Sequence, residues 1–408
     1  MIRREILKEV LLDNRNEVVK HQVIPRSFQF EEFGNYVFVG IRRAGKSFLL
    51  YQRIQELLHS GHTWNEMLYV NFEDERLIGM TAADLNLILE VHAEMSTDRP
   101  MLFLDEIQNI DGWDKFVRRL ADNKYRAYVT GSNAHFLSKD VITEFRGRGD
   151  EATTLGGRYI TVHVYPYDFK EFLYANGVEV TENSLFATES RAEIKRIFND
   201  YFRSGGFPEG ASLAAKRDYL TSVYQKIYLG DIAARHSIEN TFALRILFRK
   251  LAESIKQPVS FTRITNIVAS TGVKISKNTV INYMEYAKDA CLLIPIQNIA
   301  DKLVERETNP KYYFADNGIL NLLLLDADTS LLENLVAVTL LRRYGTDDAV
   351  FFYNRNVEVD FYLPDTGVAI QVCYTMNLSD ETFQREVQAL VKLNKVFECR
   401  QLLIITYD

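Results

Sequence analysis

Between residues 36 and 58 the chain runs from an apolar tetrapeptide, Tyr36–Val39, through Gly40-Ile41-Arg42-Arg43-Ala44-Gly45-Lys46-Ser47. It then enters an amphipathic stretch with apolar positions at 50, 54, 57 and 58. A buried strand, a loop with glycine at its first and sixth positions and a helix opening on Lys-Ser together admit few folds. The glycines let the loop fold back so that backbone N–H groups converge on one point. The helix that follows directs its positive end at the same point, so the loop is built to hold a phosphate. Lys46 then neutralises β/γ oxygens, and the Ser47 hydroxyl faces Mg²⁺. The whole octapeptide, from Gly40 to Ser47, is thus the expected ATP-binding segment.

A second element completes this expectation. Met101–Leu104 reads as another buried strand, and it ends in Asp105-Glu106. Side chains alternate along a strand, so the two carboxylates leave its end in different directions. Asp105 is expected, with Ser47, in the Mg²⁺ shell, and Glu106 as the group that polarises the attacking water. A glutamate here favours hydrolysis over transfer to a small acceptor. The next apolar run, Ala127–Val129, leads to Thr130-Gly131-Ser132-Asn133. Ser132 or Asn133 is placed to sense the γ-phosphate, and a capped turn is the equal alternative. We carry Asn133 forward as the catalytic candidate.

The same alternation sets the fold class. Tyr36–Val39, Met67–Val70, Met101–Leu104 and Ala127–Val129 are short, apolar runs, as strands covered on both faces of a parallel sheet are. Ser47–Leu58 and Gly112–Leu120 between them have helical spacing. Strand and helix in alternation predict a three-layer α/β domain. Tyr159–Val164 reads as a fifth strand, a helix is expected around Phe169–Tyr174, and Gly205-Gly206-Phe207-Pro208 is a break. Beyond it, from Phe242 to about Asp326, three helical stretches precede strands at Leu292–Ile296 and Tyr312–Phe314. From Leu331 the order is helix, three strands (Val350–Tyr353, Val357–Leu363, Val368–Cys373), helix Asp380–Leu393 and strand Leu402–Ile405.

Composition excludes several classes. At 408 residues with 47% hydrophobic and 25% charged content, two or three globular domains are expected. The longest apolar stretch, Ile319–Leu325, is too short to span a bilayer, and the start shows no secretory pattern. Three scattered cysteines fit neither a disulfide framework nor a zinc site, so a reducing cytoplasm is expected. A net charge of -7 argues against a basic nucleic-acid binder as a whole. Leu244–Pro310, however, holds 10 Lys/Arg against 6 Asp/Glu, and Leu331–Asp408 holds 7 against 11. The middle segment is thus the one suited to an anionic partner.

Read in order, GIRRAGKS, FLDEIQNIDGW, TGSNAHFLS, LGGRYITVHVYPYDFKEFL and YFRSGGFPEG resemble AAA-type P-loop ATPases of bacteria and archaea with a C-terminal domain of uncharacterised function. The later KNTVINYMEYAKDACLL, YYFADNGI, LLENLV and VEVDFYL…AIQVCY extend the resemblance over nearly the whole chain. It implies an ATPase domain at 1–205, a helical, winged-helix module at 206–330 and a restriction-endonuclease-like α/β domain at 331–408. It also implies an arginine on the γ-phosphate, in the same or a neighbouring subunit. Arg158 of Gly156-Gly157-Arg158 is the match, with Arg146 and Arg148 as alternatives. The recognition helix of the winged-helix unit is expected at Ser276–Ala290, with Lys274, Lys277 and Asn278 facing DNA. In the last domain Glu333, Asp360 and Gln371-Val372-Cys373 fall where nucleases of this kind keep three acids and a lysine. Cysteine at the lysine position predicts no DNA cleavage. The resemblance therefore implies a cytoplasmic Mg-ATP hydrolase acting as a conformational switch on DNA or a protein partner, with no membrane as a partner. An ATP-gated nuclease, a slow-hydrolysing scaffold and a homo-oligomer are the alternatives it leaves open.

Overall fold

The computed structural model describes residues 2–132, 158–181, 183–345, 348–376 and 381–407. By its internal packing the chain divides between Val164 and Tyr165 into two compact units.

The first unit opens on a helix, α1 (Arg4–Lys20), followed by β1 (Tyr36–Val39), α2 (Lys46–His59), β2 (Met67–Asn71), α3 (Leu85–Met95), β3 (Met101–Asp105), α4 (Trp113–Asp122), β4 (Ala127–Gly131) and β5 (Ile160–His163). The strands form one parallel sheet in the order β2-β3-β4-β1-β5. Alternation along the strands sorts their side chains into two layers. Val37, Val39, Leu68, Val70, Leu102, Leu104 and Val129 join the core that receives Leu7, Val10 and Leu11 of α1. Tyr36, Phe38, Phe103 and Tyr128 share the other face, where Phe103 and Tyr128 stack at 4.6 Å. The sheet is thus covered on both sides, as its unbroken apolar strands require. β4 lies between β1 and β3, so its end, Gly131-Ser132, is flanked by the phosphate loop and by the acidic pair.

The second unit begins with α5 (Phe169–Ala175), α6 (Thr188–Ser204) and α7 (Lys216–Gln225), which runs into a π-helix at Lys226–Ala234. Then come α8 (Thr241–Glu253), α9 (Phe261–Ser270), α10 (Lys277–Asp289), β6 (Leu293–Asn298), α11 (Leu303–Thr308), β7 (Lys311–Phe314), α12 (Asn317–Leu323) and α13 (Asp328–Tyr344). The chain closes with β8 (Phe351–Asn354), β9 (Glu358–Leu363), β10 (Val368–Cys373), α14 (Glu381–Phe397) and β11 (Gln401–Thr406). Its mixed sheet has the order β11-β10-β9-β8-β6-β7. β6 pairs with both β7 and β8, so the strands after the three-helix segment and those of the last 80 or so residues share one sheet. The boundary expected after residue 330 lies within that shared packing, and the segment from Tyr165 to Gly205 belongs to the second unit.

Two of the sequence elements that carried the resemblance have plain structural roles here. In YDFKEF, Asp168 caps α5 by accepting from Glu171 N–H at 2.8 Å, and Glu171 accepts from Asp168 N–H at 2.9 Å. In GGFP, the Gly206 N–H donates to buried Asp316 at 2.7 Å, and the Gly318 N–H donates to the same carboxylate at 2.7 Å. A Cβ at Gly205 would lie 1.8 Å from Asp316 Oδ1, and one at Gly318 would lie 2.2 Å from the Ser204 carbonyl. The double glycine and the Asp-Asn-Gly turn are two halves of one clasp.

Candidate nucleotide-binding site

The loop from Gly40 to Ser47 leaves β1 and enters α2. Gly40 has no room for a side chain, since a Cβ there would lie 2.0 Å from the Val164 carbonyl. Gly45 takes a left-handed conformation at φ 94°, and Arg43 one at φ 64°. Ile41 and Ala44 are buried and bonded to each other across the turn, Ala44 N–H donating to Ile41 O at 3.2 Å. Arg42 reaches Glu73, beyond the end of β2, at 3.2 Å.

Lys46 is buried and donates to the Gly40 carbonyl at 3.1 Å and the Ile41 carbonyl at 3.4 Å. Its Nζ also stands 3.6 Å from Glu106 Oε1. Asp105, at 1% exposure, accepts from Tyr69 OH at 2.8 Å, from Thr130 Oγ1 and from Ser47. The expected metal pair, Ser47 and Asp105, is therefore in contact. Thr130 Oγ1 in turn accepts the Glu106 N–H at 2.8 Å. Glu106 itself sits at φ 52°, a conformation that side-chain-bearing residues seldom hold outside constrained sites.

The two acids feel opposite fields. Burial pushes the Asp105 carboxyl up, the adjacent Glu106 adds to this, and hydrogen bonds from Thr130, Tyr69 and Ser47 offset part of it. Burial also acts to raise Glu106, but Lys46, Gln108 and Arg42 outweigh it and hold that carboxyl below its usual range. Glu106 is thus kept as an anion beside a cation.

The other candidates fare differently. Ser132 is buried and accepts from Gln108 Nε2 at 3.1 Å. Asn133, Arg146 and Arg148 lie outside the described residues. Arg158 is bound to Asp122 at 2.5 Å and precedes β5, whose Ile160 pairs with Tyr36 at the start of β1. The phosphate loop follows Val39, at the other end of the same strands. Four residues of strand, at about 3.3 Å each, separate the two ends, so Arg158 is not brought to the loop of its own chain. The resemblance alone points to that arginine, and the parallel register corrects its use within the same chain. Tyr69, Thr130 and Gln108 were not anticipated. Tyr69 alternates with two core residues, Leu68 and Val70, which hid its polar tip.

In the second unit, Glu333 of α13, Asp360 of β9 and Gln371 of β10 converge, together with a residue that was not anticipated. Lys311, at 0% exposure, reaches Glu358 at 3.0 Å, Glu333 at 3.4 Å and Asp360 at 3.5 Å. Burial lowers its pKa, but those three acids outweigh the effect and hold it above the usual lysine value. Gln371 accepts from Asp360 N–H at 2.8 Å and donates to Glu386 at 2.6 Å and to the Glu358 carbonyl at 3.1 Å. Cys373 donates to the Thr375 carbonyl at 3.0 Å. The expectation that this cluster lacks a cation, because Cys373 replaces the lysine, is corrected: the ammonium comes from β7. Lys311 and Tyr313 alternate on one strand face, and both contact Glu333.

A family model described as an AAA domain matches residues 33–173, and one described as a domain of unknown function (DUF8612) matches residues 195–330. An uncharacterized protein of Methanocaldococcus jannaschii, MJ1544, is 34% identical over 421 residues, covering 100% of this chain and 90% of that protein. An uncharacterized protein of Haemophilus influenzae is 30% identical over 367 residues, covering 88% and 86% respectively. Among solved structures, the Walker-type ATPase PABY2304 of Pyrococcus abyssi aligns over 79% of this chain and 96% of its own, at 17% identity and a TM-score of 0.40. That likeness is too distant to speak for function. Among the described residues no helix is long and apolar enough to cross a membrane.

Proposed function

The chain belongs to the family of the M. jannaschii and H. influenzae proteins, and we propose that, with its AAA domain, it binds Mg-ATP at residues 40–47 and hydrolyses it. The observation that carries this reading is the meeting of Lys46 with Glu106 and of Ser47 with Asp105 at the ends of adjoining elements. The loop's backbone and Lys46 suit an anion, and the oxygen donors of Ser47 and Asp105 suit Mg²⁺. When bound, that ion supplies positive charge to the phosphate oxygens. Lys46 orients the triphosphate, Asp105 and Ser47 hold the ion, and Glu106 takes the proton of the attacking water. Ser132 or Asn133 faces the γ-phosphate in this reading. Arg158 in this reading acts on the nucleotide of a neighbouring subunit.

Hydrolysis in this proposal drives a change of conformation that is read by DNA or a protein partner. Division into an ATPase part (1–205), a winged-helix part (206–330) and a nuclease-like part (331–408) belongs to the same proposal. Support for a DNA-facing helix is limited to α10: its cap Ser276 and the exposed Lys274, Lys277 and Asn278 lie together at its start. The nuclease-like part is proposed as a docking element. Lys311 engages one oxygen each of Glu333, Glu358 and Asp360, the other Asp360 oxygen accepts from Val372 N–H, and among the described residues no group of three or more acids, histidines or cysteines is arranged to hold a metal ion. This, and not a missing cation, disfavours an ATP-gated nuclease.

ATP turnover measured with and without duplex DNA tests the reading. Stimulation or inhibition by DNA that is lost in a Lys274→Glu/Lys277→Glu variant, and that weakens with a slope of about -0.9 per phosphate contact in log affinity against log salt, is expected for a DNA-coupled switch. Turnover indifferent to DNA at low salt would point to a protein partner.

A further inference from the structure

Gln108 lies two residues beyond Glu106, on the short turn Ile107–Asn109. Its carboxamide touches both Glu106, just past the end of β3, and the γ-phosphate candidate Ser132, just past the end of β4. Nε2 donates to Glu106 Oε2 and to Ser132 Oγ, the latter at 3.1 Å. Its other end, Oε1, is buried with no hydrogen-bond partner. Gly131 makes the room: a Cβ there would stand 3.1 Å from Oε1. A buried amide oxygen without a partner is unfavourable, so its placement calls for a compensating use of the amide's other end.

The need for such a group follows from how Glu106 is held. Its backbone N–H is fixed by Thr130 Oγ1 at 2.8 Å, but its carboxylate has two anchors only among the contacts described, Gln108 and Lys46. Lys46 is also the residue that must turn to a bound triphosphate. Once it does, the carboxylate keeps a single anchor.

We propose that Gln108 is a positioning residue: it holds the Glu106 carboxylate in line with the attacking water after Lys46 has moved to the phosphates, and it ties that alignment to Ser132. The inference rests on the ATPase reading above and deepens it. Gln108 touches neither water nor phosphate in this scheme, and its effect passes wholly through Glu106. It must therefore appear in turnover and not in nucleotide affinity. A misplacement of about 1 Å in a reacting group costs on the order of 10²-fold in rate.

The experiment compares the full-length wild type with Gln108→Ala, Gln108→Glu, Glu106→Gln and the Gln108→Ala/Glu106→Gln double variant. Phosphate release gives kcat and KM, and equilibrium binding of a fluorescent ATP analogue gives affinity. Gln108→Ala is expected to lower kcat by about 10- to 100-fold while affinity stays within about threefold. Gln108→Glu keeps the size of the side chain but sets a second carboxylate against Glu106, and is expected to be at least as slow. In the Glu106→Gln background the alanine change is expected to add nothing, because the group it positions is already gone. Wild-type kcat in Gln108→Ala would overturn the proposal. So would a rate loss that multiplies undiminished onto Glu106→Gln, or one explained by lost affinity. Full turnover by Glu106→Gln alone would instead sink the assignment of Glu106, and with it the premise of this inference.

Discussion

Lys311 shows how a residue's environment sets its meaning. A lone buried ammonium would shed its proton, but three carboxylates within 3.5 Å keep it charged. Breaking such a cluster from one side leaves uncompensated charge, at a cost of about 3–5 kcal/mol. Lys311→Met is therefore expected to destabilise the second unit by that amount in chemical denaturation. A loss below about 1 kcal/mol would show that the cluster does not hold its strands together. Asp316 gives a pH signature. Burial raises its carboxyl to about 6 from 3.8, and the N–H groups of Gly206, Gly318 and Ile319 offset only part of the shift. With the folded pKa above the unfolded one, its stabilising contribution is full below about pH 3.8 and is lost as pH rises through about 6. The stability of wild type relative to Asp316→Asn is expected to fall across that interval, and a flat or rising difference would contradict the burial argument. None of these partners was legible in the sequence. Lys311 meets Glu333, Glu358 and Asp360 across 22 to 49 positions of chain, and residue order carries no sign of it.

At the scale of elements, local pattern was enough wherever an element is defined by its own residues. β1, β3 and the helix α2 follow directly from apolar runs and helical spacing, and α9 and α10 fall where Gly272 separates them. The phosphate loop and the acidic pair were legible for the same reason, since each ends a buried strand. α1 was overlooked although Leu7, Val10, Leu11 and Val18 repeat at helical intervals and are buried. The pairing of β6 with β8 was beyond reach, because it depends on a register set by the whole sheet. Gly205 tests the clasp between α6 and α12. It combines φ 71° with a contact of 1.8 Å to Asp316 for any added Cβ. Gly205→Ala is expected to cost more than about 4 kcal/mol, an exceptional value for one methyl group. A thermal midpoint near that of wild type would mean that the turn can rearrange freely.

In the molecule as a whole, an AAA domain, whose sheet positions a phosphate loop beside an acidic pair, precedes a second unit of mixed sheet and helices. In the proposed function Lys46 serves binding and Glu106 serves turnover. The direct test is one set of assays on three proteins: ATP affinity and phosphate release for wild type, Lys46→Ala and Glu106→Gln. Lys46→Ala is expected to lose ATP binding. Glu106→Gln is expected to bind ATP as wild type does and to release phosphate about 10²–10⁴-fold more slowly. Phosphate release by Glu106→Gln at the wild-type rate, or undiminished ATP binding by Lys46→Ala, would contradict it.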